Sequence, residues 1–478
     1  MSDTPSTPTP QAPPLGFWQR FRFLGPSLIL TATLVGSGEL IITTLFGAQV
    51  GFTALWLIVL ACLLKVAVQE TLGRYTISSG LTSLRIMDQL PGPRMYGGWA
   101  VWFWLVVVLL GSTQLGGVAT AVGDALHIVW PSTPTSYWSI IVCAIALFIL
   151  IGGRYVVIER VSVTLVSIFS VSIIFCGIIL QWTDYGITWS NIVEGFQFTV
   201  DVKHGHQSAW VLGMAIIGAV GLSSTELVYY PYWCVEKGYA RFTGPNEPTP
   251  EWEQRAKGWI RVMQLDCYFA FVIYTTTTIA FYFLGAAVLS KSGGGMPKKD
   301  QLIETLSSMY TETLGPWAYY VFIICSILVL FSTLFVSIAS YGRLFPDCLG
   351  ILGAIKFDTD DERRRWTRNF VIVFAIVFAA ASQLPGKVEI LIALGLIPVT
   401  LMLPVICFTA LYVRFKKLDP RLRPSRLLDF WLLASCILIV TLTIYGLGKN
   451  VGQLGDYWDQ VQSYFSGQDQ APKAPTSE

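Results

Sequence analysis

Val35-Gly36-Ser37-Gly38-Glu39-Leu40-Ile41 and Gly221-Leu222-Ser223-Ser224-Thr225-Glu226-Leu227-Val228 each fall inside a long apolar run, and both carry Ser-x-Glu-Leu followed by Ile or Val. Glycine disfavours continuous helix, and a carboxylate at mid-membrane depth is costly enough to be a functional hypothesis by default. Each run is therefore expected to hold a broken helix. Ser223 and Glu226 also form a capping box, and both glutamates suit the first turn of a half-helix where the dipole favours them. A cap is needed only where a helix has stopped, so capping and function point to the same break.

Working outward, the 478 residues are 53% hydrophobic and 14% aromatic with only 13% charged, against roughly 25% charged in a soluble domain. A water-soluble fold is excluded. Apolar segments fall near 25–49, 52–79, 97–125, 136–152, 156–180, 209–236, 260–289, 315–345, 367–384, 388–413 and 428–448, each about the 20 residues of one crossing. An all-α polytopic membrane protein of about 11 transmembrane helices is expected. With the N-terminus inside, alternate inner segments hold 24 of the 32 Lys and Arg and outer segments seven, leaving Lys65 in mid-span. The positive-inside rule then expects a cytoplasmic N-terminus, an extracytoplasmic C-terminus and a cell (inner) membrane location.

The net charge of +2 leaves no basic excess for nucleic acid. The nine cysteines stand singly, mostly in apolar runs, and read as small core residues. Residues 1–20 are expected to form a disordered cytoplasmic tail, 21–449 one transmembrane domain, and 450–478 an extracytoplasmic tail. Trp18, Trp99, Trp182, Trp210 and Trp259 sit at segment ends and suit interfacial anchors. The inner segment 346–365 reads as a solvated loop. His204 and His206 are a weak metal signal.

The two breaks lie in spans one and six, which start on opposite sides of the membrane under the charge-derived topology. That is the arrangement of an inverted-repeat transporter, in which paired broken helices bind substrate at the midplane. Repeat one covers about 25–180 and repeat two about 209–413, with an extra helix at 428–448. Lys65 needs a partner at its depth, with Glu39, Glu226 and Glu70 as candidates. Two readings stand for it: a structural ion pair or snorkelling lysine, and an ammonium that permanently replaces a co-transported ion. Arg343, Asp124 and Asp266 lie nearer segment ends and are expected at the interfaces.

The chain resembles the Nramp (natural resistance-associated macrophage protein) family of divalent-metal transporters. The resemblance rests on Gly25-Pro26, Phe52 to Leu57, Gln69, Gly73 to Gly80, Gly153-Arg154 with Glu159, Ser332-Thr333, Arg363-Arg364 with Arg368, and Leu403-Pro404. It implies a LeuT-like fold of five plus five inverted helices, broken in helices one and six, and proton-linked import of manganese and iron. The family's Asp-Pro-Gly-Asn run is replaced here by Gly36-Ser37-Gly38-Glu39, and its Met-Pro-His run by Ser223-Ser224-Thr225, with Glu226 next. Gln114 and Gly117 stand in place of its span-three acids. Proton coupling of the family's kind is therefore expected to be weak or absent.

The expected function is secondary-active transport of a cation by alternating access. Without the thioether, the remaining donors are hard oxygens, so Mg2+ or Ca2+ is favoured over Mn2+ or Fe2+. Glu39 and Glu226 are the expected metal ligands. Gly36, Ser37, Gly38, Leu222, Ser223, Ser224 and Thr225 complete the substrate site, and Lys65, Glu70 and Gln114 set charge or coupling. The alternative is cation-coupled transport of a small organic solute, such as an amine or amino acid, with Tyr229, Tyr230 and Tyr232 near its cavity. An enzyme is not expected, since paired-histidine, nucleophile-elbow and phosphate-loop motifs are missing. The metal is substrate and no cofactor is expected. The partners are the bilayer and the transported cation, and the sequence does not fix an oligomeric state.

Overall fold

A polypeptide in lipid must satisfy its backbone within each span, which leaves helices as the solution for these apolar segments. The computed structural model describes residues 10–200, 216, 220–290, 302–357, 359–384 and 388–465. Its principal helices are α1 (Pro26–Leu34), α2 (Thr44–Val50), α3 (Leu55–Ser79), α4 (Trp99–Val129), α5 (Thr135–Leu150), α6 (Tyr155–Ile179), α7 (Ser224–Lys237), α8 (Pro250–Leu284), α9 (Leu302–Leu314), α10 (Ala318–Ile351), α11 (Asp360–Ala381), α12 (Val388–Tyr412) and α13 (Arg426–Phe465). Every expected apolar segment carries a helix. Among the described residues seven are long and apolar enough to cross a membrane, and the bent pair around Glu39 makes an eighth. The other expected spans fall short for local reasons: α5 has 16 residues, α7 starts at a break, and α11 opens with charged residues.

The helices pack in two groups. The first span, α3, α7 and α8 pack on one another, while α4, α5, α10 and α11 form a second set, with α12 lying along α4. This is the division of the LeuT-like fold, and corresponding members of the two repeats occupy corresponding places. Phe148, Val171, Leu427, Phe430 and Ile444 on the outer helices are exposed, an apolar exterior that suits lipid and not water. The nine cysteines are buried and unbridged.

The first span crosses α8 at close quarters. A Cβ on Gly47 would meet the Tyr282 carbonyl and one on Gly285 the Thr44 carbonyl, so both positions exclude side chains. Gly285→Val is expected to cost at least about 1–3 kcal/mol from overpacking, read as a lower thermal unfolding midpoint; a midpoint equal to wild type would contradict the crossing.

Several expectations are corrected. Residues 10–20 are not a free tail. The Gln11 amide donates to the Phe242 carbonyl at 2.9 Å, Trp259 Nε1 donates to the Gln11 carbonyl at 2.9 Å, and Phe17–Arg20 is a short helix. Trp259 is not an interfacial anchor, being fully buried against Tyr239 and Phe242. Asp266 and Arg343 are buried within the protein. Arg343 lies over the Trp233 ring and bonds Glu236 and the Ala339 and Gly153 carbonyls. Residues 346–351 of the expected loop belong to α10, where buried Asp347 accepts from Thr82, Tyr232 and Arg85. Finally, α13 runs on past residue 450 to Phe465.

Candidate functional site between the two breaks

The first span starts at Gly25-Pro26, where the Asp266 carboxylate accepts the Gly25 amide at 2.7 Å and the Ser27 amide at 2.8 Å. It supplies negative charge to a helix N-terminus and takes two of the amides a helix leaves unpaired there. At the other end the helix fails at Gly36, whose ψ of −121° lies inside the wound-out segment Val35–Thr43. The axis bends by 48° between Pro26–Leu34 and Glu39–Val50. Carbonyls released by the break find hydroxyls on α10: Ser332 Oγ donates to the Ala32 carbonyl at 2.7 Å and Thr333 Oγ1 to the Thr33 carbonyl at 3.1 Å. Thr333 occupies the space a Gly36 side chain would need.

The second break turns at Gly221, whose φ of +69° is a left-handed conformation suited to glycine. Ser223 then caps α7. Its hydroxyl accepts from the Thr225 amide at 3.1 Å, and Glu226 Oε2 accepts from the Ser223 amide at 2.9 Å and from the Ser223 hydroxyl. Ser224 Oγ donates to the Val399 carbonyl at 2.5 Å, tying α7 to α12.

Glu39 joins the breaks. Its carboxylate accepts the Gly221 amide at 3.3 Å and the Thr43 hydroxyl at 3.0 Å, and is 1% exposed. Thr278 of α8 lies beside it, its hydroxyl given to the Tyr274 carbonyl at 2.7 Å. Lys65, fully buried in α3, donates to the Val220 carbonyl at 2.7 Å and lies within electrostatic range of both Glu39 and Glu226. Two carboxylates and one ammonium each bond to the backbone or cap of the second break: Glu39 at Gly221, Lys65 at Val220 and Glu226 at Ser223. Their formal sum is −1, in a pocket of low dielectric where charge balance matters most.

The structure thus brings Gly36, Glu39, Leu222, Ser223, Ser224, Thr225, Glu226 and Lys65 to one region. The side chain of Ser37 lies outside the described residues, as do His204 and His206, and Gly38 belongs to the Val35–Thr43 segment. Glu70 is not a partner of this site: it pairs with Arg74 and accepts from Gln264 at 2.9 Å. Gln114 is placed at the crossing of α4 with α12, its backbone where a Gly395 side chain would be. Thr43, Thr278, Val220, Gly221, Ser332 and Thr333 are contributors that sequence reasoning did not assign to the site. Hydroxyls recurring within apolar runs were the available signal. Among the described residues no group of three or more His, Cys, Asp or Glu could hold a metal ion, so a cation here would need carbonyl and hydroxyl oxygens besides the two carboxylates.

Residues 27–449 match the family described as natural resistance-associated macrophage protein-like. The chain belongs to the Nramp family. An uncharacterized protein of Pasteurella multocida is 23% identical over 372 residues, covering 76% of this chain and 77% of the relative. Among solved structures, the Eremococcus coleocola manganese transporter bound to an aromatic bis-isothiourea compound superposes with a TM-score of 0.69 at 14% identity, covering 98% of this chain and 93% of that one. Mhp1, a nucleobase-cation-symport-1 family transporter, superposes with a TM-score of 0.54 at 12% identity, covering 94% and 97%. These likenesses carry the LeuT-like fold. Within that fold, this Nramp chain is an integral membrane protein with glutamates at its two helix breaks.

Proposed function

We propose that this Nramp chain is a secondary-active transporter that moves a divalent metal ion by alternating access around its two breaks, with Mg2+ or Ca2+ favoured over Mn2+ or Fe2+. The supporting observation is that Glu39, Glu226 and the Val220 carbonyl all stand at the second break, over residues 220–226, where Glu39 bonds Gly221, Lys65 bonds Val220 and Glu226 bonds Ser223. Hard cations take such oxygens, and the soft thioether of the family pattern is missing. The metal is cargo and not a resident cofactor. Lys65 sets the charge of the empty site, and an incoming cation takes over the carbonyl it holds.

The face carrying Arg20, Arg94, Arg154, Arg241 and Lys416 is the cytoplasmic one in this reading, in accord with the positive-inside rule. With Gln114 and Gly117 where the family pattern has acids, metal flux runs with weak or no proton movement of the family's kind. An organic solute is less well supported: Tyr230 packs its hydroxyl against Cys267, Tyr232 bonds Asp347, and Tyr229 is buried edge-on to Tyr341.

Uptake into proteoliposomes across Mg2+, Ca2+, Mn2+ and Na+ tests the reading. Saturable divalent uptake is expected, reduced by at least about tenfold in Glu39→Gln and in Glu226→Gln, since even removing an outer partner of a metal ligand costs about 10–100-fold in affinity. Absence of ion flux in folded wild-type protein would overturn it.

A further inference from the structure

Away from the breaks, a groove of 1210 Å3 opens on the basic face, between the end of α3 (Tyr75 and Ile77 to Gly80), the loop after α7 and the segment Val413–Lys417 that continues α12. Four cations from two separate segments line it: Arg241, Lys416, Lys417 and Arg423. All four are exposed, and none has a carboxylate partner among the described residues. Of the two acids on the lining, Asp419 is taken by Arg421, bonded at 2.8 Å and 3.1 Å, and by Asn246. Arg421 holds the Asp419 carboxyl down to about 2, so this pair stays ionised and closed. Glu247 is left against four cations.

We propose that this groove binds the phosphate headgroup of an anionic membrane lipid. Lys and Arg form short, charge-assisted bonds to phosphate oxygens, and basic clusters where helices leave the cytoplasmic side of a membrane recognise anionic lipid heads. The groove exceeds the roughly 300–1,000 Å3 of pockets for compact small molecules, which suits an extended headgroup with the start of its chains. Phe415, 55% exposed beside Lys416 and Lys417, offers an apolar shoulder to those chains. The site is independent of the cation pathway.

The test uses the delipidated full-length protein, with bound lipid counted by native mass spectrometry after adding phosphatidylglycerol or phosphatidylcholine. Phosphatidylglycerol is expected to be retained selectively. Retention should fall by at least about tenfold in Arg241→Gln/Lys416→Gln/Lys417→Gln/Arg423→Gln, since each basic residue near an anionic surface is worth about fivefold. It should persist in Arg364→Gln/Arg365→Gln, which removes two exposed cations outside the groove. Since the four groove residues are exposed, a matching unfolding midpoint checks that the variant is folded, and Lys416→Gln/Lys417→Gln gives a milder version. Equal retention of the two lipids, or an equal loss in both variants, overturns the site. Inorganic pyrophosphate displacing phosphatidylglycerol at matched concentration overturns the lipid as ligand and assigns the groove to a soluble phosphate compound.

Discussion

Asp266→Ala is expected to lower the stability of the purified protein by about 3–5 kcal/mol. The carboxylate receives the Gly25 and Ser27 amides at the start of α1 and is fully buried. Its removal strands two buried donors, each costing about 1–3 kcal/mol. It also removes a charge that favours the helix N-terminus by about 0.3–2 kcal/mol. Asp266→Asn keeps an acceptor oxygen and should lose about half as much. The neighbouring bonds hold the same end: Lys237 donates to the Leu24 carbonyl at 2.8 Å and to Glu159, and Tyr239 to the Phe23 carbonyl at 2.7 Å. These bonds hold the first half-helix at its first turn, as Ser332 and Thr333 hold it at its last. Thermal unfolding in detergent measures the effect, and an Asp266→Ala midpoint equal to wild type would refute the clamp.

Lys65→Met is expected to have an effect of similar size with a distinctive remedy. Deleting one partner of a buried ionic group costs about 3–5 kcal/mol, because the charge left behind is uncompensated. Here the remainder is Glu39 and Glu226, with the Val220 carbonyl deprived of the Lys65 donor. In buffer without divalent ions the variant should be markedly less stable than wild type. Adding Mg2+ or Ca2+ should restore stability by about 2.7 kcal/mol at a hundredfold excess over the dissociation constant. The wild-type response should be shallower, since the ion competes with the tethered ammonium. Titrating the unfolding midpoint of both proteins with each ion decides the matter. A Lys65→Met protein indifferent to divalent ions would remove Lys65 from the cation site.

Much of the architecture could be read from the residues because lipid simplifies the problem: an apolar run of sufficient length must be helix, and glycine with a carboxylate inside one must be explained. Gly36, Glu39, Gly221 and Glu226 stood out on that ground, and the fivefold offset between spans one and six followed. Lys65 was visible as an anomaly, with Glu39 and Glu226 among its candidate neighbours, but the Val220 carbonyl it bonds was not. Glu70 lies five residues further on, yet the direction in which each side chain leaves α3 sends Glu70 to Arg74 and Lys65 to the break. Asp266 illustrates the same limit. A linear reading gives approximate depth along a helix, whereas the Asp266 role depends on α8 crossing the start of α1. Tyr229, Tyr230 and Tyr232 looked like cavity walls because aromatic residues suit both pockets and cores. The packing of α7 against α1, α3 and α10 buries them.

The bonds made by Gln11 bear on how the protein is made. Its amide and carbonyl are claimed by Phe242 and Trp259, residues more than 230 positions later. A ribosome has therefore to deliver the whole first repeat and the start of the second before the opening residues of the chain find their seat. Until residue 259 has been made, the Gln11 carbonyl lacks the indole that takes it in the folded protein.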